Sequence, residues 1–197
     1  MGTGIALGAQ RDPILTAKEV ASLDLVSDGR FCFGVGVGWL REEIANHGVD
    51  PSVRGRVVDE RLRAMIAIWT EETAEFHGDF VDFNPIYSWP KPVTKPYPPL
   101  YLGGGVAGFR RIAELGTGWM SLSASAEAIS GELEELRDLA GRVVPVIHCH
   151  VGELTAEAIA GYHDLGIEHL TVELPTAPRD QTLRSLDELK TVFNKLD

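Results

Sequence analysis

A run of glycines directly after a short apolar strand is the clearest chemical signal in the sequence. The apolar segment 100–102 leads into Gly103, Gly104 and Gly105, and Val106 opens a predicted helix. Glycine lets a backbone approach a ligand closely, and the backbone N–H groups of such a turn can bind phosphate without a basic side chain. A tight turn without a ligand is the alternative. Because ligands of parallel barrels lie at the carboxyl ends of the strands, the position favours a phosphate-binding loop.

A second glycine run lies in the segment 34–39, where glycine alternates with valine before a tryptophan. The spacing does not match the G-x-G-x-x-G fingerprint of dinucleotide-binding folds. A barrel interior explains the alternation better, because glycine inside a strand leaves room where another backbone or a flat ring system approaches closely. Trp39 would then stand at the mouth of the site, with Glu43 at the start of the next helix. Both are candidates for a substrate pocket.

Two histidines, His148 and His150, lie on one face of a predicted strand. This spacing occurs in metal hydrolases built on barrels. Glu173 is the one attractive further ligand, so we predict no metal site and expect histidines that face the barrel interior or its rim and bond to neighbours. A metal-dependent hydrolase remains an alternative. The sequence contains neither a G-x-S-x-G nucleophile elbow nor a P-loop, so acyl transfer and nucleoside-triphosphate chemistry have no motif to support them.

Short apolar strands alternate with amphipathic helices, a pattern that predicts a parallel sheet with helical crossovers. A complete barrel of eight such units needs about 250 residues, and the chain has 197. We therefore expect an α/β fold of the TIM (β/α)8 type, formed by residues 1–197 as one domain. It would lack roughly its first two βα units and enter the fold at the third strand. The predicted strands are Gly4–Leu7, Arg30–Val37, Leu100–Leu102, Gly118–Leu122, Val143–His150 and His169–Leu174.

The segment at about 72–99 interrupts this alternation with prolines and aromatic residues. Loops of this length inside compact domains usually carry function or a structure of their own. Two interpretations remain open, a lid over a ligand and an aromatic plug that packs on the barrel wall. If the segment is a lid, Trp89 is a further candidate for the substrate pocket.

The charge and composition of the chain limit its partners. The formal net charge is −11, so a nucleic acid or an anionic membrane surface would be repelled. No apolar run is long enough to span a bilayer. Cys32 and Cys149 lie in apolar strands, as expected for small buried residues in a reducing compartment. These features predict a cytoplasmic protein that binds neither nucleic acid nor membrane.

An ordered series of motifs along the chain resembles the luciferase-like monooxygenase superfamily. The similarity is clear from residue 2 to about residue 122 and looser beyond it. It is carried by DLVSDGR at 24–30, GVGVGWLREE at 34–43, FHG at 76–78, PKPV at 90–93, PPLYLGG at 98–104 and GTGW at 116–119. An ordered set of this kind is more specific than any single glycine run.

The resemblance implies a barrel that binds FMN or the deazaflavin coenzyme F420 and catalyses hydride transfer. The GW and PKPV motifs are most similar to those of the F420-dependent branch. The resemblance assigns Gly4 and Ile5 to a bulged strand, often with a cis peptide bond, behind the cofactor ring. It places Gly36 and Gly38 at the border of the ring. Some sugar dehydrogenases of the family have an acidic residue after the glycine run where this chain has Trp39, which disfavours a sugar substrate. The residues that would hold the phosphate are Gly103, Gly104, Gly105, Val106 and Ser121.

Together these observations predict an oxidoreductase that uses coenzyme F420, or alternatively FMN, and acts on a small organic molecule of unknown identity. The catalytic residues are unknown, because in the family the first two strands supply much of the reacting face. The alternative is a catalytically incomplete relative that only binds a flavin-like ligand or a partner subunit. Because an open sheet exposes two edges with unpaired backbone groups, we also expect a homodimer or a larger homo-oligomer.

Overall fold

The computed structural model describes residues 1–167 and 169–194 of the chain. Parallel strands alternate with helices along most of this length, and one antiparallel hairpin interrupts the alternation. The strands are β1 (Ala6–Leu7), β2 (Phe33–Gly36), β3 (Ala74–His77), β4 (Asp82–Ile86), β5 (Leu100–Gly103), β6 (Gly118–Ser123), β7 (Val146–His150) and β8 (His169–Val172). The helices are α1 (Pro13–Val26), α2 (Arg41–Asn46), α3 (Arg54–Thr70), α4 (Phe109–Leu115), α5 (Ala126–Ala140), α6 (Ala156–Asp164) and α7 (Arg179–Phe193).

Six of the strands form one parallel sheet in the order β1-β2-β5-β6-β7-β8. Apart from the hairpin, each strand therefore pairs with the next one along the chain, which is the winding of a (β/α) barrel. The pairs Val35 with Leu102 and Met120 with Ile147 fix the register of the central strands. The predicted α/β fold of barrel type is confirmed, and each predicted strand is present with its boundaries shifted by a few residues.

Within the described sheet, β1 and β8 each pair with a neighbour on one side. An opening of about 650 Å³ lies between them on the inner face of the sheet. Cys32 and Cys149 contribute to its lining, and both are free thiols that are half-buried instead of buried as predicted. The homo-oligomer and the cytoplasmic location stay predictions.

Side-chain alternation along the strands separates the inner face of the sheet from the face that packs against the helices. On β7, His148 and His150 are buried against Tyr162 of α6, whereas Ile147 and Cys149 face the inner opening. Apolar burial stabilises this packing by about 25 cal/mol per Å². The largest fully buried side chains are Trp119, Tyr162, Phe109, Ile44, Leu62, Ile68, Leu100, Leu102, Ile112, Ile129, Leu133 and Leu136.

Local sequence signals set the ends of several helices. The carboxylate of Asp12 accepts a hydrogen bond from the N–H of Leu15 at the start of α1, as the Asp-Pro pair predicts. Ser125 and Thr155 cap α5 and α6 in the same way. Helix α5 ends at Gly141, whose φ of +61° is a left-handed conformation that favours glycine. Caps of this kind hold the helices in register with the strands that they connect.

The segment 72–99 carries the hairpin of β3 and β4, which packs on the outside of α3. Glu60 of α3 accepts hydrogen bonds from the N–H groups of residues 79–81, at the turn of the hairpin. Phe76 pairs with Phe83 across the two strands. The prediction of an irregular insertion missed this hairpin, because its turn is held by a side chain of a distant helix.

The same segment then continues along the amino-terminal edge of the sheet, since it connects the end of α3 to the start of β5. The Lys91 ammonium donates to the carbonyl oxygens of Ile68 and Glu71 at 2.6 and 2.5 Å. The buried carboxylate of Asp24 accepts from both the N–H and the hydroxyl of Thr94 at 2.9 Å. These contacts support the interpretation of the segment as packing on the barrel wall.

Helix α7 carries apolar residues along one stripe, but the core does not cover this stripe. Leu183, Leu186 and Phe193 are all exposed to solvent. No helix in the described part of the chain has the length and apolar character that crossing a bilayer requires.

Candidate functional site

A cleft of about 420 Å³ opens at the carboxyl ends of β1, β2, β5 and β6. We call it the glycine cleft. It brings together most of the residues that the sequence predicted for a ligand site, although those residues are up to about 117 positions apart, from Gly4 to Ser121. Its lining residues are Gly4, Ile5, Leu7, Gly36, Val37, Gly38, Trp39, Gly103, Gly104, Met120, Ser121, Leu122 and Cys149.

The side chain of Ile5 fills the space beside two of the glycines. A Cβ atom on Gly103 would lie 2.5 Å from the Cδ1 atom of Ile5, and one on Gly36 would lie 3.3 Å from it. Gly36 and Gly103 therefore leave room for Ile5, which is 36% exposed in the cleft. The resemblance implied that Gly36 borders the cofactor ring. The Gly4–Ile5 peptide bond is cis, as the resemblance implied.

Gly38 has a conformational role at the turn that follows β2. Its φ is +84°, a value that side-chain-bearing residues rarely adopt, and a Cβ atom there would lie 3.2 Å from Ile44. The turn leads into α2, and Glu43 on that helix does not line the glycine cleft. This arrangement corrects the expectation that Glu43 belongs to the substrate pocket. Trp39 lines the cleft and is 83% exposed at its mouth.

The loop after β5 is open toward the cleft at Gly104. Gly104 has a φ of +131°, and the one heavy atom within 4 Å of a Cβ atom on it would be the Cα atom of Gly108, at 3.9 Å. The indole N–H of Trp119 donates to the Gly104 carbonyl at 2.8 Å and thereby holds the loop against β6. Sequence analysis missed this contact, although Trp119 belongs to the GTGW motif. Val106 is half-exposed just beyond the cleft.

Gly105 follows Gly104 outside the lining of the cleft and faces a carboxylate. A Cβ atom on Gly105 would lie 3.7 Å from Oε1 of Glu132 on α5. An anion bound at this loop would therefore lie near a negative charge, which the sequence did not reveal because Glu132 belongs to a later helix.

Ser121 is the predicted site residue whose side chain points away from the cleft. It is 2% exposed, and its Oγ atom lies 2.8 Å from Nδ1 of His148. The alternation along β6 directs Met120 and Leu122 into the cleft and turns Ser121 toward the helices. The hydroxyl of Ser121 is thus engaged inside the protein, which differs from the expected contact with a phosphate.

Trp89 lies on the other side of the molecule. It belongs to the segment at the amino-terminal edge of the sheet and is 61% exposed near the ammonium of Lys91. The glycine cleft opens at the carboxyl edge, so the expectation that Trp89 contributes to the substrate pocket is corrected.

The two histidines of β7 form a buried polar cluster behind the cleft. Nδ1 of His150 lies 2.9 Å from the hydroxyl of Tyr162, and its Nε2 lies 3.1 Å from the carbonyl oxygen of Glu153. They bond to neighbours as predicted, but they face the helices and not the barrel interior. No group of three histidine, cysteine or acidic residues in residues 1–167 and 169–194 could hold a metal ion. The geometry gives the metal-dependent alternative no support.

Burial lowers the pKa of His148 to about 4, and the charge of nearby His150 contributes in the same direction. The ordinary pKa of histidine is about 6.5. Between pH 6.5 and about pH 4, the unfolded chain therefore binds a proton on His148 that the folded chain does not bind. We therefore expect the free energy of unfolding to fall as the pH drops through this window, by about 2 kcal/mol from His148 at about pH 4.5.

Urea denaturation of the wild type and of His148→Asn at neutral and acidic pH measures this contribution. Asparagine retains a polar partner for Ser121 but does not titrate. On acidification, the free energy of unfolding of the variant should fall by about 2 kcal/mol less than that of the wild type. An equal loss in both proteins would show that His148 is not the group responsible.

The chain matches the model of a known protein family over most of its length. The family model described as Luciferase-like monooxygenase matches residues 1–191. The chain belongs to the luciferase-like monooxygenase family. The resemblance recognised in the motifs is therefore confirmed, and the match extends beyond the region where the motifs are clear.

Two relatives in the family are similar in sequence. An uncharacterised protein of Mycobacterium tuberculosis is 34% identical over 195 residues, which cover 96% of this chain and 68% of the relative. The FMNH(2)-dependent dimethylsulfone monooxygenase of Pseudomonas putida is 33% identical over 129 residues, covering 64% of this chain and 36% of the enzyme. The chain thus corresponds to part of the length of each.

Solved structures with the same fold include two oxidoreductases. The monooxygenase RslO1 from Streptomyces bottropensis has a TM-score of 0.69 and 22% identity, covering all of this chain and 59% of its own. An F420-dependent secondary alcohol dehydrogenase in complex with an F420-acetone adduct has a TM-score of 0.72 and 18% identity, covering 87% of this chain and 72% of its own. At these identities the likeness concerns the fold alone.

Proposed function

We propose that the chain binds a flavin-type cofactor in the glycine cleft and acts as an oxidoreductase on a small organic molecule. The observation that carries this proposal is the convergence of Gly4, Gly36, Gly103 and Gly104 around Ile5 at the carboxyl ends of adjacent strands. Cofactors and substrates of barrel enzymes bind at this edge. Family membership supports the same assignment.

The residues of the cleft fit a flat aromatic ring. Ile5 offers an apolar floor, and a Cβ atom on Gly4 would have no heavy atom within 4 Å, so the space above that backbone is open. Cys149 is the one residue with an ionisable side chain among the described lining residues. An apolar wall with little charge suits a ring system, and the loop at Gly104 can offer backbone N–H groups to a phosphate.

When bound, such a cofactor would donate a hydride to the substrate or accept one from it. The residues of the chain would bind the cofactor and orient it toward the substrate. Ile5 would contact one face of the ring, while Trp39 and Leu122 would limit the access of water at the mouth. The hydrogen bond from Trp119 would keep the Gly104 loop in place. No histidine, lysine or carboxylate is among the described lining residues, so the thiol of Cys149 is the one described lining group that would exchange a proton with the substrate.

Two cofactors fit this proposal. The GW and PKPV motifs favour coenzyme F420, and one structural neighbour is F420-dependent. FMN is the alternative and is supported by the FMNH(2)-dependent relative, which shares more sequence with the chain than that neighbour does. Parallel titrations of purified protein with FMN and with F420, followed by cofactor fluorescence, separate the two.

Turnover tests the oxidoreductase part of the proposal. Purified protein loaded with reduced cofactor should oxidise the cofactor when an aldehyde or alkene substrate of the correct class is added. Protein loaded with oxidised cofactor should reduce the cofactor when an alcohol of the correct class is added. Binding of the cofactor without a change in its redox state across these classes would contradict catalysis.

A second candidate function is a relative that binds the cofactor without catalysis. One observation favours it, namely that the described lining of the cleft offers no side chain suited to proton transfer except the thiol of Cys149. A relative of this kind would show saturable cofactor binding with no turnover, and loss of Cys149 would not change the affinity for the cofactor.

Replacing Glu132 with glutamine tests the position of the phosphate. If the phosphate lies at the loop of Gly104 and Gly105, removing the nearby negative charge should tighten FMN binding about threefold at low ionic strength. Riboflavin has the same ring without the phosphate, and its affinity should not change. An equal change for both ligands, or no change for FMN, would place the phosphate elsewhere.

A further inference from the structure

The walls of the glycine cleft are apolar to an unusual degree for a site at the edge of an acidic protein. The side chains that line it are Ile5, Leu7, Val37, Trp39, Met120 and Leu122, together with Cys149 and glycines. Ser121 contributes no free hydroxyl, because its Oγ atom bonds to His148 behind the cleft. A charged ligand would therefore find no ion-pair partner among the described lining residues, and burial of an unpaired charge is costly.

Large apolar side chains also stand exposed around the mouth of the cleft. Trp39 is 83% exposed and Leu122 is 68% exposed, and both line the cleft. Val151, which follows β7 at the same edge of the sheet, is 47% exposed. Clusters of exposed apolar side chains beside a cleft usually mark a surface that a ligand covers.

The electrostatic field of the whole chain also affects which ligands can approach the cleft. With a net charge of −11, the protein repels anions that approach the cleft. Cations would be attracted by this field, yet the cleft holds no carboxylate among its described lining residues to retain them. The backbone N–H groups of the Gly104 loop can offset the repulsion of a cofactor phosphate, but a charge on a substrate would have no partner among the described lining side chains.

We propose that the substrate is a neutral, mainly apolar small molecule that binds between Trp39 and Leu122 at the mouth of the cleft. This inference rests on the proposed function, because it places the substrate beside the cofactor. Trp39 is then a specificity-determining residue, and its indole covers the apolar part of the substrate.

Calorimetric titration of the cofactor-loaded protein tests the inference with three ligands that share one alkyl chain, namely octanol, octanoate and octylamine. Octanol should bind at least about tenfold more tightly than either charged ligand, since an unpaired charge must be desolvated in the cleft. Trp39→Ala should weaken octanol binding about tenfold through lost apolar contact. Trp89→Ala, an exposed tryptophan at the opposite edge, is the matched control and should leave binding unchanged.

The outcomes separate the two proposals. If the protein binds neither FMN nor F420, the proposed function fails and the inference fails with it. If a cofactor binds but octanoate or octylamine binds as tightly as octanol, or Trp39→Ala leaves octanol binding unchanged, the proposed function stands and the substrate class is wrong. Light scattering that shows a dimer in which Trp39 is shielded from acrylamide quenching would assign the apolar mouth to a second copy and overturn the inference.

Discussion

Replacing Gly34 with alanine is expected to lower the free energy of unfolding by about 3 kcal/mol or more. A Cβ atom on Gly34 would collide with the carbonyl oxygen of Thr3 and would lie 2.8 Å from the Cε atom of Met120. The side chain of Met120 can move, but the backbone of Thr3 cannot easily do so. The Thr3 hydroxyl bonds to both the carbonyl oxygen and the N–H of Gly34, at 2.8 and 3.0 Å.

Gly131→Ala is the control for this prediction. Gly131 lies inside α5, and a Cβ atom on it would have no heavy atom within 4 Å. Alanine there should stabilise the chain by about 0.5–1 kcal/mol, because glycine is a poor helix former. Urea denaturation followed by circular dichroism measures both variants. Equal stability of Gly34→Ala and the wild type would mean that the segment before β1 does not pack against β2 as described.

Replacing Leu122 with tryptophan is expected to weaken cofactor binding by at least about tenfold. Leu122 projects into the glycine cleft and is 68% exposed, so a larger side chain can occupy the space of the ring without disturbing the core. Folding should therefore be retained while the site is blocked.

Leu139→Trp is the matched control, since Leu139 is also an exposed leucine, at 56%, and lies on α5 outside the cleft. Fluorescence titration with FMN or F420 should give the wild-type affinity for Leu139→Trp and a large loss for Leu122→Trp. A normal affinity in Leu122→Trp would mean that the cofactor binds at another place.

Much of the fold follows from local patterns in the sequence. The apolar segment 100–102 forms β5, and the Asp-Pro pair at residue 12 starts α1, because strand and cap signals act over a few residues. The order of elements also implied which glycines meet at the carboxyl edge. Five of the predicted cofactor-site glycines, namely Gly4, Gly36, Gly38, Gly103 and Gly104, line the same cleft.

The sequence could not give the direction of individual side chains, because direction depends on the register of each strand. A shift of one residue on β6 would have turned Ser121 toward the cleft and Met120 away from it. The same uncertainty of face applied to His148 and His150, whose burial against Tyr162 depends on the packing of α6.

The placement of Trp89 follows from the order of the elements along the chain. The segment 72–99 follows a helix and precedes a strand, and such connections in a barrel lie at the edge opposite the ligand site. Contacts between distant segments were not available, such as the carboxylate of Glu132 near Gly105 or the side chain of Ile5 beside Gly36 and Gly103. They arise only when the strands are packed.

The position of the cofactor is measured most directly by NMR, from the amide shifts of isotopically labelled protein titrated with FMN and with F420. Bound cofactor should cause saturable shifts at Gly4, Gly36, Trp39 and Gly104, which all line the glycine cleft, and no shifts in the hairpin of β3 and β4, which packs on α3. Shifts confined to the hairpin, or no shifts with either cofactor at concentrations up to about 1 mM, would contradict cofactor binding in the glycine cleft.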